Sequence, residues 1–111
     1  MRVLFANARL KTELESDGAV RRRWGEPARK KLRARLDDLD AADSLETMRP
    51  LAGHLEELTG DRAGQLSLRL AGPLRLLFEV ADEPIPRKSD GGLDWRLVRS
   101  VRVMGVEDYH D

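Results

Sequence analysis

Three arginines and a terminal acid-tyrosine-histidine run are the residues of this chain best suited to chemistry. Arg69 and Arg75 recur on the polar face of what reads as a β-hairpin over residues 60 to 80, with Arg62 just upstream. Guanidinium groups held on a sheet match the planar, bidentate geometry of phosphate oxygens better than the same charges on a floppy tail. At the far end stands Asp108-Tyr109-His110. An imidazole, with an ordinary pKa of about 6.5, is the side chain best able to exchange protons near neutrality. Asp108, two positions before His110, shares its strand face if the strand runs on regularly, and there acts as a base or orients the ring. Plainer readings stand beside these: Tyr109 and His110 as a cap on the sheet, and Arg69 and Arg75 paired with Glu79 or with acidic groups of a helix. A divalent-metal site from Glu107, Asp108, His110 and Asp111 is poorly placed because consecutive strand residues point to opposite faces. No metal or other cofactor is expected.

The elements that must position these groups follow from hydrophobic spacing. Leu66, Leu68 and Leu70 alternate with Ser67 and Arg69, then Ala71-Gly72-Pro73 turns the chain, and Leu74 to Val80 is apolar apart from Arg75 and Glu79. Upstream, Arg2 to Ala6 reads as a first strand and residues 7 to 16 as a short helix stopped by Ser16-Asp17-Gly18. Gly25-Glu26-Pro27 opens a second helix, with Pro27 where a missing N–H is harmless, and Ala28, Leu32, Leu36 and Leu39 form its apolar stripe. Asp43 and Glu46 resemble a capping pair for a brief third helix that Pro50 ends. Residues 82 to 92 are too rich in Pro and Gly for a strand. Leu97 to Val106 reads as a final strand, with Val101 and Val103 on one face and Arg102, Met104 and Val106 on the other. The order predicts an α+β fold, helices packed on one face of a mainly antiparallel sheet.

A chain of 111 residues, 41% hydrophobic and 36% charged, has the composition of one folded domain spanning residues 1 to 111. It has no cysteine, which excludes disulfides and thiolate metal sites. No apolar run reaches membrane-spanning length, so a cytoplasmic protein without membrane contact is expected. The net charge of zero conceals segregation: Arg21, Arg22, Arg23, Arg29, Lys30, Lys31, Arg33 and Arg35 crowd one segment, and Asp37, Asp38, Asp40, Asp43 and Glu46 come after it. A polyanion feels the near patch rather than the total. Arg29, Lys30 and Arg33 are therefore candidates for nucleic-acid contact, against the alternative of a solvated helix face whose charges complement one another.

Gly60-Asp61-Arg62-Ala63-Gly64-Gln65, then Ser67-Leu68-Arg69, Arg75-Leu76-Leu77-Phe78 and the terminal Glu107-Asp108-Tyr109-His110 together resemble the HigB-type toxins of the RelE/ParE superfamily. The similarity takes in Arg22-Arg23-Trp24-Gly25 and, as in a branch with a longer loop, Pro84-Ile85-Pro86-Arg87-Lys88 with Asp90-Gly91-Gly92. It implies a RelE-like ribonuclease that cuts messenger RNA in the ribosomal A site and is neutralised by a HigA-like helix-turn-helix antitoxin. The implied reaction is metal-free attack of a 2′-hydroxyl on the adjacent phosphate. Arg75 matches the family's strand arginine, and Asp108, Tyr109 and His110 its terminal catalytic motif. The chain departs from relatives in carrying Glu56 and Thr59 ahead of the Gly-Asp-Arg motif, and Leu66 and Leu74 where aromatic residues are usual. An exposed ring at either place would stack on RNA bases; a buried one would be core.

Overall fold

A computed structural model describes residues 1–108. In chain order they form β1 (Arg2–Phe5), α1 (Ala8–Glu15), α2 (Asp17–Trp24), α3 (Glu26–Ala41), β2 (Glu56–Glu57), β3 (Gln65–Arg69), β4 (Leu74–Val80) and β5 (Ser100–Asp108), with 3₁₀ turns at Leu45–Met48, Gly60–Arg62 and Trp95–Leu97. The architecture is α+β.

Local chemistry sets the helix ends. Asn7 accepts from the Leu10 N–H at 2.8 Å and starts α1. Ser16 serves two helices: its N–H closes α1 onto the Glu13 carbonyl, and its hydroxyl accepts from the Ala19 N–H at 3.2 Å to open α2. Ser16-Asp17-Gly18 is thus a junction as well as a stop, and the sequence reading missed α2. Asp17 in the first turn of α2 and Arg21, Arg22 and Arg23 in its last both suit the helix dipole. Gly25, at φ +93°, turns the chain into α3 in a conformation side-chain-bearing residues avoid. The expected third helix is only the Leu45–Met48 turn, preceded by Ser44 with no side-chain cap, so Asp43 and Glu46 form no capping pair. Glu46 bonds Arg49 instead.

The sheet has five strands in the order β1-β5-β4-β3-β2, with β1 parallel to β5 and every other pairing antiparallel. One face is covered by the helices. Leu66, Leu68, Leu76, Phe78, Val101 and Val103 pack there with Leu14, Val20, Leu32, Leu36 and Leu39 in one core cluster. At about 25 cal/mol per Å² of apolar area removed from water, this burial is the main stabilising term. Asp82 ties the long loop to the start of β5 by accepting from the Arg99 and Ser100 N–H groups and the Ser100 hydroxyl. Burial opposes the Asp82 charge, but those hydrogen bonds outweigh it and hold the carboxyl below its usual range.

A β-bulge interrupts the pairing of β5 with β4. Phe78 pairs with Val103 but Leu77 pairs with Gly105, so Met104 has no counterpart on β4. Gly105, at φ +156°, supplies the backbone that such an extra residue requires. Beyond it the facing of side chains is reset. Val106 pairs with Leu76 and packs on the core, contrary to its expected place beside Arg102 and Met104. The strand also begins later than expected, at Ser100, and continues through Asp108.

Candidate nucleic-acid interface

The face of the sheet turned away from the helices carries the arginines. Residues paired in register share a face. Gln65, Ser67 and Arg69 of β3 stand opposite Glu79, Leu77 and Arg75 of β4, and these in turn opposite Arg102, Gly105 and Glu107 of β5. Arg69 and Arg75 are direct cross-strand neighbours, an arrangement of like charges that costs stability unless an anion intervenes. Among the described residues neither enters an ion pair. Arg75 donates from Nη1 to the Gly72 and Leu74 carbonyls, each at 2.9 Å, which folds its guanidinium over the hairpin turn.

Arg62 reaches this face from the 3₁₀ turn before β3. It grips Glu107 with two bonds, Nη1 to Oε2 at 2.7 Å and Nη2 to Oε1 at 3.2 Å, and touches Gln65 Oε1 at 3.4 Å. Ser67 and Leu77, opposite one another between these groups, are 4% and 2% exposed although they face away from the helices. Longer charged side chains stand around them on this face, among them Arg102, which donates to Glu79 at 3.0 Å. Arg62, Arg69 and Arg75, named from sequence as phosphate ligands, are therefore brought to one surface. Leu66 and Leu74 pack on the core side, so they occupy no RNA-facing place.

The terminal residues are not brought to Arg75 in the same way. Asp108 pairs with Leu74, and Leu74 packs on the core, so Asp108 lies on the opposite face of the sheet from Arg75. A regular β5 would set Asp108 on the face of Arg75; the bulge shifts every later side chain by one step and parts these two family-matched residues. Glu107 is the carboxylate that stands in register with Arg75. Tyr109 and His110 lie outside the described residues.

The helical cations have a different fate. Arg29 bonds Glu26 at 2.7 Å and lies 3.8 Å from Asp17, and Arg33 reaches Asp17 at 3.3 Å. Arg21 bonds Glu26, and Arg23 bonds Glu13 while lying over the Trp24 ring at 4.6 Å. Hydrogen bonds from Arg29 and then Arg21 pull the Glu26 carboxyl from 4.5 down to about 2. Of the three residues proposed to contact nucleic acid here, Arg29 and Arg33 are ion-paired and Lys30 is exposed. The carboxylates come from α1, α2 and the start of α3, not from the acidic run after the basic segment.

Sequence reasoning missed two supports of the interface. Arg35, only 6% exposed, donates from Nε to the Arg69 carbonyl at 2.9 Å, and the Arg69 N–H donates to the Gly53 carbonyl at 2.6 Å. Gly53 sits at φ +111°, where an added Cβ would fall 2.7 Å from Arg35 Nε. The signal for Arg35 was present, since it falls seven residues after Ala28 and four before Leu39, on the apolar stripe itself. Glu107 was read only as part of a terminal motif.

Where β3 begins and β4 ends, a cleft of about 630 Å³ opens beside the long loop, lined by Gln65, Leu66, Val80, Ile85, Arg87 and Leu93 among others. A smaller cleft of about 310 Å³ shares Glu57 and Leu93 with it. In the smaller cleft Arg49 lies 4.2 Å over the Trp95 ring and the Trp95 Nε1–H donates to Glu57 at 3.1 Å. Asp94, under hydrogen bonds from Arg96, is held below the usual carboxylate range. No helix among the described residues is long and apolar enough to cross a membrane. No protein-family model and no curated protein matches the chain.

Proposed function

We propose that the chain is a RelE-like toxin of the HigB type, a ribosome-dependent messenger-RNA endonuclease that acts in the cytoplasm and is neutralised by a HigA-like helix-turn-helix antitoxin. The observation that carries this reading is the convergence of Arg62, Arg69 and Arg75 from separate stretches onto one sheet face, with Arg69 and Arg75 directly opposed and in no ion pair among the described residues. Such a surface suits a phosphodiester, whose negative charge relieves their repulsion and accepts paired N–H donors. In the reaction that the resemblance implies, the 2′-hydroxyl loses its proton and attacks phosphorus while the 5′-oxygen leaves. Arg75 then stabilises the charge that develops on the equatorial oxygens. With few exposed aromatic rings and no net charge, the chain by itself holds single-stranded RNA weakly, and the ribosome presents the message.

The separation of Asp108 from Arg75 favours a second reading: a binding protein without nuclease activity, either a ParE-like inhibitor of DNA gyrase or a weakly toxic repression partner of the antitoxin. Primer-extension mapping of cellular messages after induction, with Arg75→Ala as control, decides between them. Cuts within translated codons that vanish in the variant support the nuclease. Growth arrest with intact messages and DNA breaks supports the gyrase inhibitor. Co-purification with the product of an adjacent helix-turn-helix gene tests the partnership, and a chain that elutes alone at high concentration counts against it.

A further inference from the structure

Of the carboxylates on the outer face, Glu79 pairs with its cross-strand neighbour Arg102, whereas Glu107 reaches past its own neighbour. Glu107 stands in register with Arg75, yet its oxygens go to Arg62, from the turn before β3, in a two-point grip. The end of a guanidinium that takes a carboxylate fork-on is also the end that takes two oxygens of a phosphate. Arg75 meanwhile rests on uncharged carbonyls of its own hairpin, and Arg69 stands beside it. Beside Arg69 and Arg75 the face thus already carries an anion supplied by the protein, held by Arg62.

We infer that Glu107 is an internal competitor for the phosphate site: its carboxylate takes the Arg62 donors that a bound phosphate would use, so anion binding and the Arg62–Glu107 pair exclude one another. This rests on reading the outer face as a phosphate-binding surface. The bulge at Gly105 makes it possible, because without the extra residue Glu107 would point to the helix-covered side. In the empty protein the carboxylate offsets the crowding of three cations. When a phosphate arrives at Arg62 it must displace Glu107. A free mononucleotide or phosphate ion, with few other contacts, competes poorly against a tethered carboxylate. A message held in place by the ribosome meets a much higher effective concentration and displaces it. Glu107 thereby acts as a selectivity filter against small anions.

The test is titration of the full chain with inorganic phosphate, followed by the arginine Nε–H resonances. It compares the wild type, Glu107→Gln, Arg62→Ala, the Arg62→Ala/Glu107→Gln double variant, and Glu79→Gln, which removes an equal charge from the same face. Glu107→Gln is expected to tighten phosphate binding about two- to fivefold, the scale of an exposed ion pair, and Glu79→Gln to do less. In the Arg62→Ala background the Glu107→Gln effect is expected to vanish. Equal tightening by the two glutamate variants, persistence of the effect without Arg62, or no phosphate binding by wild type and Glu107→Gln alike would each overturn the inference. Coupling intact in a protein that cuts no messages refutes the nuclease reading alone. Message cutting that depends on Arg75, without the coupling, refutes the Glu107 inference alone.

Discussion

The chain has two arginine-rich regions, and they differ in what their cations face. On α2 and α3, arginines are dense in sequence, but Glu13, Asp17 and Glu26 are folded in among them, so that four of the six, Arg21, Arg23, Arg29 and Arg33, are ion-paired within the same helical layer. On the outer sheet face, arginines are sparse in sequence, yet the register sets Arg69 against Arg75 and leaves Glu107 to serve Arg62 alone. Density along the chain therefore misleads about anion affinity. The field felt by a phosphate depends on charges within about a Debye length of 8 Å, counted with their partners. A carboxylate one helix away cancels an arginine as well as one that is adjacent in sequence.

The sharpest way to break this comparison is to truncate one arginine from each region. Arg75→Ala is expected to lower message cutting about a hundredfold or more, the usual cost of losing a donor to transition-state charge, with unchanged far-ultraviolet circular dichroism. An equal loss from Arg33→Ala would erase the distinction between the regions. Next in size is the residue that joins them. Arg35 belongs to the dense helical run but is buried, and it holds the Arg69 carbonyl. Arg35→Met leaves that carbonyl without its donor and is expected to cost about 1 to 3 kcal/mol in urea unfolding. A midpoint that does not move would show that the backbone at the end of β3 is held by other contacts.

The helix-facing half of the fold was legible because burial imposes periodicity. Ala28, Leu32, Leu36 and Leu39 read as one face of a helix; all are buried, and the three leucines share a core cluster with the sheet. The hairpin was legible for the same reason, as Leu66, Leu68 and Leu76 show. Three things were not. The start of α2 was hidden because Ser16 is at once a good end and a good beginning. The facing of β5 was hidden because one extra residue at Gly105 inverts a period of two, moving Val106 inward and Glu107 outward. The partners of the helical cations were hidden because pairs such as Arg33 with Asp17 and Arg23 with Glu13 depend on how α1, α2 and α3 cross. That Arg69 and Arg75 share one face was legible, since alternation alone puts Arg69 on the polar side; that Glu107 joins them there and pairs with Arg62 was not.

A smaller effect tests the matched side of the comparison. Lys30→Ala removes an exposed charge from a region in which Arg21, Arg23, Arg29 and Arg33 are ion-paired. It is expected to change stability by no more than about 0.5 kcal/mol and to leave message cutting within about twofold. A loss approaching that of Arg75→Ala would place nucleic acid on the helices after all.

The smallest expected effect concerns the carboxylate at the centre of the helical network. Hydrogen bonds from Arg29 and then Arg21 hold the Glu26 carboxyl at about 2, against 4.5 for an unperturbed group. Between those values the unfolded chain binds a proton at this position and the folded chain does not, so folding becomes more favourable as pH rises through the window. The contribution is fully present above about pH 4.5 and is lost as pH falls through about 2. Because the pair is exposed, the effect is small and screened, with a Debye length of about 3 Å at 1 M salt. Glu26→Gln should therefore show a shallower decline in stability than the wild type between pH 4.5 and 2. The two curves should converge at the acid end, and high salt should narrow the gap between them. Parallel curves through that window at low salt would mean that Arg21 and Arg29 do not engage Glu26 in solution. Those two arginines would then return to the pool available for an anionic partner, and the contrast between the helical and sheet regions would weaken accordingly.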